Sequence, residues 1–146
     1  PKYVVIECSK KLSRHFGRTI SKAEKRGTSK YSSEDNSLHI TIHASKKLAR
    51  NKYFFGIQDQ QLNWHSSRNN GENFFALVCG STDLTFLIPL EIIEKILTKL
   101  SSRVIRDGRL EYWYVNVQKS ENGWEIPSLE GFENTNIQSY LLPTET

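Results

Sequence analysis

Two apolar runs near the middle of the chain constrain its fold most strongly. Residues 74–79 and 84–88 are rich in aromatic and branched side chains, and the sequence Gly80-Ser81-Thr82-Asp83 between them is typical of a tight turn. We therefore predict a hairpin of two central strands. Pro89 follows at once, and leucine and isoleucine then recur at helical spacing, which predicts a helix from Pro89 to about Leu100.

Three further segments have strand patterns. Residues 38–43 alternate strictly between apolar and polar side chains, which is typical of a half-buried strand. Residues 110–117 are rich in aromatic side chains, and the turn sequence at 120–123 joins them to a short apolar segment at 124–126. The chain therefore contains at least two hairpins and few candidate crossover helices.

The N-terminal region changes its period after a few residues. Residues 3–6 are apolar and β-branched and predict a short strand. From residue 9 to residue 25 the apolar residues recur at spacings of three and four among basic ones, which predicts an amphipathic helix with Ser9 as its N-cap and Gly17 as a point where it can be interrupted. Because hairpins outnumber crossovers, we expect an α+β fold with a mostly antiparallel, strongly bent sheet or open pseudobarrel and two helices.

The length and the ends of the chain set its organisation. A chain of 146 residues can bury one core, so we expect a single domain over 1–146, with a weakly patterned C-terminal tail at 128–146 that docks through residues 140–142. The chain begins with Pro1 and contains no Met, so we expect it to be processed or cut from a larger protein. No segment has the pattern of a membrane span or signal peptide, which predicts a cytoplasmic location.

The sequence lacks the motifs of the common enzyme classes. Cys8 and Cys79 lie in apolar runs without zinc-site spacing, so we expect buried free thiols. His39 and His43 would lie roughly 13 Å apart on one strand, too far for one metal ion, and we interpret them as surface or groove-lining residues. No Asp or Glu is followed two residues later by Lys, as the PD-(D/E)xK nucleases require, and no phosphate-binding glycine loop occurs. We predict no catalytic residues, metal or cofactor.

Charge is strongly segregated along the chain. Residues 1–53 hold 13 Lys/Arg against 4 Asp/Glu, whereas residues 54–146 hold 7 against 12. Such a basic region attracts phosphates, and a solvated surface that is only incidentally basic is the alternative. The predicted phosphate-binding residues are Lys10, Lys11, Arg14, Arg18, Lys22, Lys25, Arg26, Lys30, Lys46, Lys47, Arg50 and Lys52.

The polar stretch at 59–73 is long for a connecting loop. Arg and Asn can make bidentate contacts to guanine and adenine edges, while Trp and His can stack on an exposed base. Alternatively, this is an ordinary polar loop with its tryptophan folded onto the core. The candidate base-reading residues are Trp64, His65, Arg68, Asn69 and Asn70.

The strand sequences at 53–57 and 74–80, and the sequence at 84–89 that leads into a helix, resemble the B3-like DNA-recognition domains of bacterial restriction enzymes. The resemblance covers residues 38–117 and rests on the pattern of strands. It implies an open pseudobarrel with short helices that holds the DNA major groove between two arms, and the segments at 45–52 and 63–70 would be those arms.

The leading hypothesis is a sequence-specific module for double-stranded DNA that can be sensitive to base modification. It would be the target-recognition domain of a restriction or defence enzyme, with a fused or associated nuclease domain. The alternatives are a small metal-dependent nuclease with a divergent site and a protein-interaction domain whose basic face meets an acidic partner.

Overall fold

A computed structural model describes residues 2–25, 29–104 and 111–144. In these ranges the helices are α1 (Lys2–Phe16), α2 (Asp59–Ser66) and α3 (Leu90–Leu97), and a short 3₁₀ helix spans Gln138–Tyr140. The strands are β1 (Ile20–Lys22), β2 (Lys30–Ser33), β3 (Leu38–Ala44), β4 (Lys46–Ala49), β5 (Lys52–Gln58), β6 (Glu72–Val78), β7 (Thr85–Pro89), β8 (Ser102–Val104), β9 (Glu111–Ser120), β10 (Gly123–Ile126) and β11 (Thr135–Asn136).

The strands form two mostly antiparallel sheets. The first sheet has the order β1-β2-β3-β6-β7, and the second has the order β11-β10-β9-β5-β4, with β8 also paired to β9. Only the pair of β3 and β6 is parallel among the pairings described, with Thr41 opposite Phe75. The described strands form two separate sheets that do not close into a barrel, so the α+β class is confirmed but the pseudobarrel is not.

The molecule is built in layers around two apolar clusters. The larger cluster lies between the two sheets and includes Phe55, Val115 and Phe86 together with the apolar side of α3. The second cluster covers the other face of the first sheet, where Cys8 and Leu12 of α1 are fully buried. The outer face of the second sheet therefore remains on the surface of the described structure.

The N-terminal prediction was wrong in its boundaries. Residues 3–6 belong to α1 and do not form a strand, because Val5, Cys8 and Leu12 make one buried stripe at helical spacing against the first sheet. Ser9 does not cap the helix; its hydroxyl lies inside α1 and donates to the carbonyl of Ile6. The helix ends before Gly17, which has a φ of 63° that favours glycine, and the chain continues as strand β1.

Two further segments, β3 and the stretch at 59–73, also differ from their predictions. Strand β3 is buried on both faces, because it lies inside the first sheet with α1 on one side and α2 near the other. The stretch at 59–73 contains the helix α2, which the sequence pattern did not indicate, so the described structure has three helices where two were expected. At the start of α2, the backbone N–H of Gln58 donates to the side-chain oxygen of Gln61. This polar cap carries no strong sequence signal.

Most of the other local predictions are confirmed. β6 and β7 form the predicted hairpin, α3 begins directly after Pro89, and β9 pairs with β10. Both hairpin strands were expected to be central, but β7 is the last strand of the first sheet and only β6 lies between two others. The C-terminal segment docks on the body, since Leu142 is buried and its amide donates to the carbonyl of Thr85. Both cysteines are free and buried. None of the described helices is long and apolar enough to cross a membrane.

Candidate nucleic-acid interface

Residues 45–52 form an exposed hairpin at the edge of the second sheet, which we call the basic hairpin. All four residues of β4 are exposed, and so are Arg50 and Asn51 in the turn. Asn51 has a φ of 59°, a left-handed conformation that Asn tolerates better than most residues, so it fits this tight turn. The cations Lys46, Lys47, Arg50 and Lys52 therefore project from one short ribbon into solvent.

The pairing register assigns the lysines to faces of the sheet. Lys46 lies opposite Phe54 on β5, and Phe54 in turn lies opposite Asn116 on β9. Lys52 lies two residues before Phe54 on β5, so Lys46 and Lys52 share the outer face of the second sheet. Lys47 pairs with Tyr53, which packs against the core between the sheets, and therefore lies on the opposite face.

Several of the predicted phosphate contacts are engaged within the protein. Lys11 is buried, and its Nζ donates to the Thr82 carbonyl at 2.6 Å, so its assignment to the exposed face of the helix was wrong. Arg18 donates to the Ser37 hydroxyl, and Lys30 forms an ion pair with Glu24 at 3.4 Å.

The remaining N-terminal candidates lie on the surface. Lys10 and Arg14 are exposed on α1, whereas Lys22 and Lys25 are exposed at and beyond β1. Arg26 lies outside the described residues. The cations of the N-terminal third are therefore spread over α1, the β1 edge and the basic hairpin.

Two of the predicted base-reading residues are inaccessible. Trp64 and His65 are buried at the end of α2, so neither ring can stack on a base, and that prediction was wrong. The Arg68 guanidinium lies over the Trp64 ring, 4.5 Å from its centroid, and donates to the Trp64 carbonyl. Arg68 thus stabilises the turn after α2, while Asn69 and Asn70 remain exposed.

The two expected arms lie at different ends of β5. The basic hairpin precedes β5 at Lys52, and α2 follows β5 after Gln58. A strand of this length spans roughly 20 Å, and α2 then turns toward the first sheet, where His65 contacts Thr41. Only the basic hairpin extends into solvent as an arm.

A buried hydrogen-bond chain links β3, α2 and β6. The Asn73 amide nitrogen donates to two backbone carbonyls, so its oxygen accepts from His65 Nδ1 at 2.8 Å. Neutral His65 then accepts at Nε2 from the Thr41 hydroxyl at 2.9 Å. Thr41 in turn accepts from His43 Nε2 at 2.9 Å. The expectation that His43 lines the surface was therefore wrong, and the same holds for His39, which is also buried.

Burial keeps these histidines neutral. It lowers the pKa of His43 to about 3, with a further contribution from neighbouring His65. It also lowers the pKa of His65 to about 4, although the hydrogen bond to Asn73 acts in the opposite direction. The pKa of His39 is lowered as well, first by burial and then by Arg68. Each donor and acceptor in this chain of hydrogen bonds therefore keeps its role at neutral pH, and the chain holds α2 against the first sheet.

Neither a group of metal ligands nor a reactive thiol is found among the described residues. Over residues 2–25, 29–104 and 111–144, no three His, Cys, Asp or Glu side chains are grouped so that they could hold a metal ion. Burial raises the pKa of both cysteine thiols to about 12, so neither is a ready nucleophile.

Sequence reasoning overlooked the outer face of the second sheet. Phe54, Tyr112 and Tyr114 lie there beside Lys46 and Lys52, whereas their chain neighbours face the core. The available signal was alternation, but residues 53–57 and 112–115 are aromatic or apolar at nearly every position, so the pattern did not indicate which side chains were exposed.

Comparison with known proteins does not assign the chain to a family. It matches no protein-family model, no curated protein and no solved structure.

Proposed function

We propose that the chain binds double-stranded DNA, with the basic hairpin against the phosphate backbone and its tip in the major groove. The observation that carries the proposal is the hairpin itself, which presents four exposed cations within seven residues. The sequence contains no acidic residue between Asp35 and Asp59, and no carboxylate among the described residues forms an ion pair with these four. Uncompensated positive charge on a protruding ribbon suits a polyanion.

The shape of the basic hairpin favours a duplex. The major groove of B-DNA admits a two-stranded antiparallel ribbon. Arg50 and Asn51 lie at the tip of this ribbon, and their side chains are those that pair with guanine and adenine edges. The lysines on the ribbon would fix its position on the backbone, and the tip would read the sequence.

A second basic element lies near the hairpin. The turn between β6 and β7 contacts α1, because Lys11 donates to the Thr82 carbonyl. It also contacts the start of the basic hairpin, because the Gly80 amide donates to the Ser45 hydroxyl at 3.1 Å. Exposed Lys10 and Lys46 immediately adjoin these contacts in sequence, so α1 can add a phosphate contact beside the hairpin.

The resemblance to restriction-enzyme DNA-recognition domains agrees with this role. Those domains hold the major groove with protruding loops and strands, and the basic hairpin is such an element here. In this proposal the chain is the target-recognition part of a restriction or defence enzyme, and cleavage belongs to another domain.

Two matched double variants test how much the charge of the basic hairpin contributes to duplex binding. We expect Lys46→Ala/Lys52→Ala to weaken duplex binding and to reduce the salt slope, d log K/d log[salt], by about 1 for each phosphate that is no longer neutralised. Lys95→Ala/Lys99→Ala removes the same charge from the region of α3 and is expected to change the slope little. Fluorescence anisotropy of a labelled duplex over a salt series gives both values. Equal effects of the two variants would contradict a specific role for the hairpin.

Sequence readout is tested at the tip. Arg50→Ala is expected to relax the preference at one base pair by about tenfold, as measured by selection from a random duplex pool. Asn51→Gly removes the amide but keeps a residue suited to the left-handed turn, so a change in preference would come from removal of the side chain. Asn69→Ala is the comparison in the other candidate segment. Binding of polyglutamate as tightly as DNA would instead identify an acidic protein partner.

A further inference from the structure

The outer face of the second sheet carries a row of aromatic rings. Phe54 stacks on Tyr114 with ring centroids 5.1 Å apart and an angle of 29° between the planes. Tyr112 is nearly parallel to Tyr114, at 6.4 Å and 3°. Tyr114 is 40% exposed, and the other two rings are partly exposed. We call these three residues and Gly56, which pairs with Tyr114, the aromatic platform.

Gly56 leaves an open notch in this platform. It lies inside β5 and has no left-handed φ that would require glycine. A Cβ built at Gly56 meets no described atom within 4 Å, so no close packing requires a glycine there either. Glycine inside a strand costs stability, and where neither turn nor packing explains it, the position suits the close approach of a ligand.

Polar and basic groups border the platform. Lys46 and Asn116 lie on either side of Phe54, and Lys52 and Gln118 form the next pair along the same face. Glu125, which pairs with Gln118, is farther from the rings and is the nearest acidic position in that row. A ligand at the notch would therefore meet partly exposed aromatic rings with two lysines beside them, and this combination binds single-stranded nucleic acid.

We propose that the aromatic platform stacks an unpaired nucleobase, while Lys46 and Lys52 hold the phosphates of the same strand. Base pairs inside a duplex are stacked on both sides and expose only their edges, so the interior of an intact duplex cannot use these rings. The preferred ligand is therefore DNA in which a single-stranded segment adjoins the duplex held by the basic hairpin. This inference rests on the proposed function and specifies its substrate class.

The experiment compares two labelled probes, a blunt duplex and the same duplex with a short oligothymidine tail. Stacking of one base should make the tailed probe bind about tenfold tighter. Tyr114→Ala is expected to remove this advantage without changing affinity for the blunt duplex, whereas Tyr114→Phe keeps the ring and the advantage. Lys46→Ala/Lys52→Ala should weaken the binding of both probes.

Gly56→Val tests the stacking site with a variant that is expected to keep the stability of the protein. Valine suits a strand, and the space above Gly56 is open, so the variant should be at least as stable to heat as the wild type. Because its side chain fills the notch, it should lose the advantage for the tailed probe. An advantage retained by both Gly56→Val and Tyr114→Ala would overturn the inference.

The two probes distinguish failure of DNA binding from failure of base stacking on the aromatic platform. If neither probe binds at low salt, the proposed DNA function is wrong. If both probes bind equally in the wild type, duplex binding stands and the stacking site is wrong. Self-association that disappears in Tyr114→Ala would show that a second copy of the chain covers the platform, and this result would also overturn the inference.

Discussion

The buried histidines predict a steep loss of stability under mildly acidic conditions. His43 and His65 are neutral in the folded protein because burial lowers their pKa values to about 3 and about 4, below the ordinary value of 6.5. In the unfolded chain both can take up a proton as the pH falls through 6.5. The unfolded state then binds more protons than the folded state, so the free energy of unfolding decreases as the pH is lowered.

The magnitude follows from the linkage relation. Between pH 7.5 and 5.5, an unfolded histidine of ordinary pKa goes from mostly neutral to mostly protonated. This protonation lowers the free energy of unfolding by about 1.4 kcal/mol for each histidine that stays neutral in the fold. His43 and His65 together lower it by about 3 kcal/mol, and the lowered pKa of His39 acts in the same direction. A carboxyl group of ordinary pKa is already ionised across this range.

Urea unfolding at a series of pH values, followed by tryptophan fluorescence, measures this dependence. His43→Phe retains a ring against Phe75, on which His43 stacks, and is expected to reduce the pH-dependent loss by about 1.4 kcal/mol. Exposed His15 at the end of α1 provides the control, and His15→Ala should leave most of the loss in place. A free energy of unfolding that is constant from pH 7.5 to 5.5 would refute the reasoning.

Three further predictions concern buried polar groups. Thr41→Val should lower the free energy of unfolding by about 1–3 kcal/mol in a urea titration, because it leaves one histidine donor and one acceptor unpaired. Cys8 and Cys79 should not react with a thiol reagent at pH 8 until urea unfolds the protein, because burial raises both pKa values to about 12; rapid reaction of the native protein would contradict this. Lys11→Met should leave duplex affinity unchanged in an anisotropy titration while Lys10→Met weakens it, since only Lys10 is exposed; equal effects would contradict this assignment.

The elements that the sequence predicts well are those in which a local signal agrees with the tertiary environment. The hairpin of β6 and β7 has two apolar runs and a turn sequence, and Pro89 marks the start of α3. The C-terminal segment was expected to dock, and Leu142 is buried against the body. In each case propensity, turn chemistry and burial favour the same structure.

The N-terminal strand prediction failed because propensity and packing disagree. The β-branched residues Val4, Val5 and Ile6 favour a strand, but Val5, Cys8 and Leu12 form the stripe that covers the first sheet. Packing determined the outcome, and the helix begins well before Ser9. Similarly, α2 has few apolar residues, and its buried side includes His65, which a hydrophobic pattern does not detect.

The sequence predicts the charged composition of the candidate site, but it does not show which side chains lie on the surface. The excess of positive charge in residues 1–53 is evident in the sequence, but the burial of Lys11 depends on a carbonyl 71 residues away. The sequence also did not reveal that Phe54 is partly exposed and Tyr114 exposed, because Tyr53 and Phe55 beside Phe54 are also aromatic. Only the pairing of β5 with β9 distinguishes the core face from the outer face.

Charged edge strands also have a purely structural explanation, since lysines on an edge discourage pairing with other sheets. That explanation covers Lys46 and Lys47, which lie in the edge strand β4. It does not cover Lys52, because this residue is paired on both sides, to Ala49 and to Gln118. Nor does it cover Arg50, which lies in the turn and protects no edge. A hairpin whose cations extend beyond what edge protection requires favours a polyanionic partner, and Lys52→Ala and Arg50→Ala are therefore the single variants that best separate the two explanations.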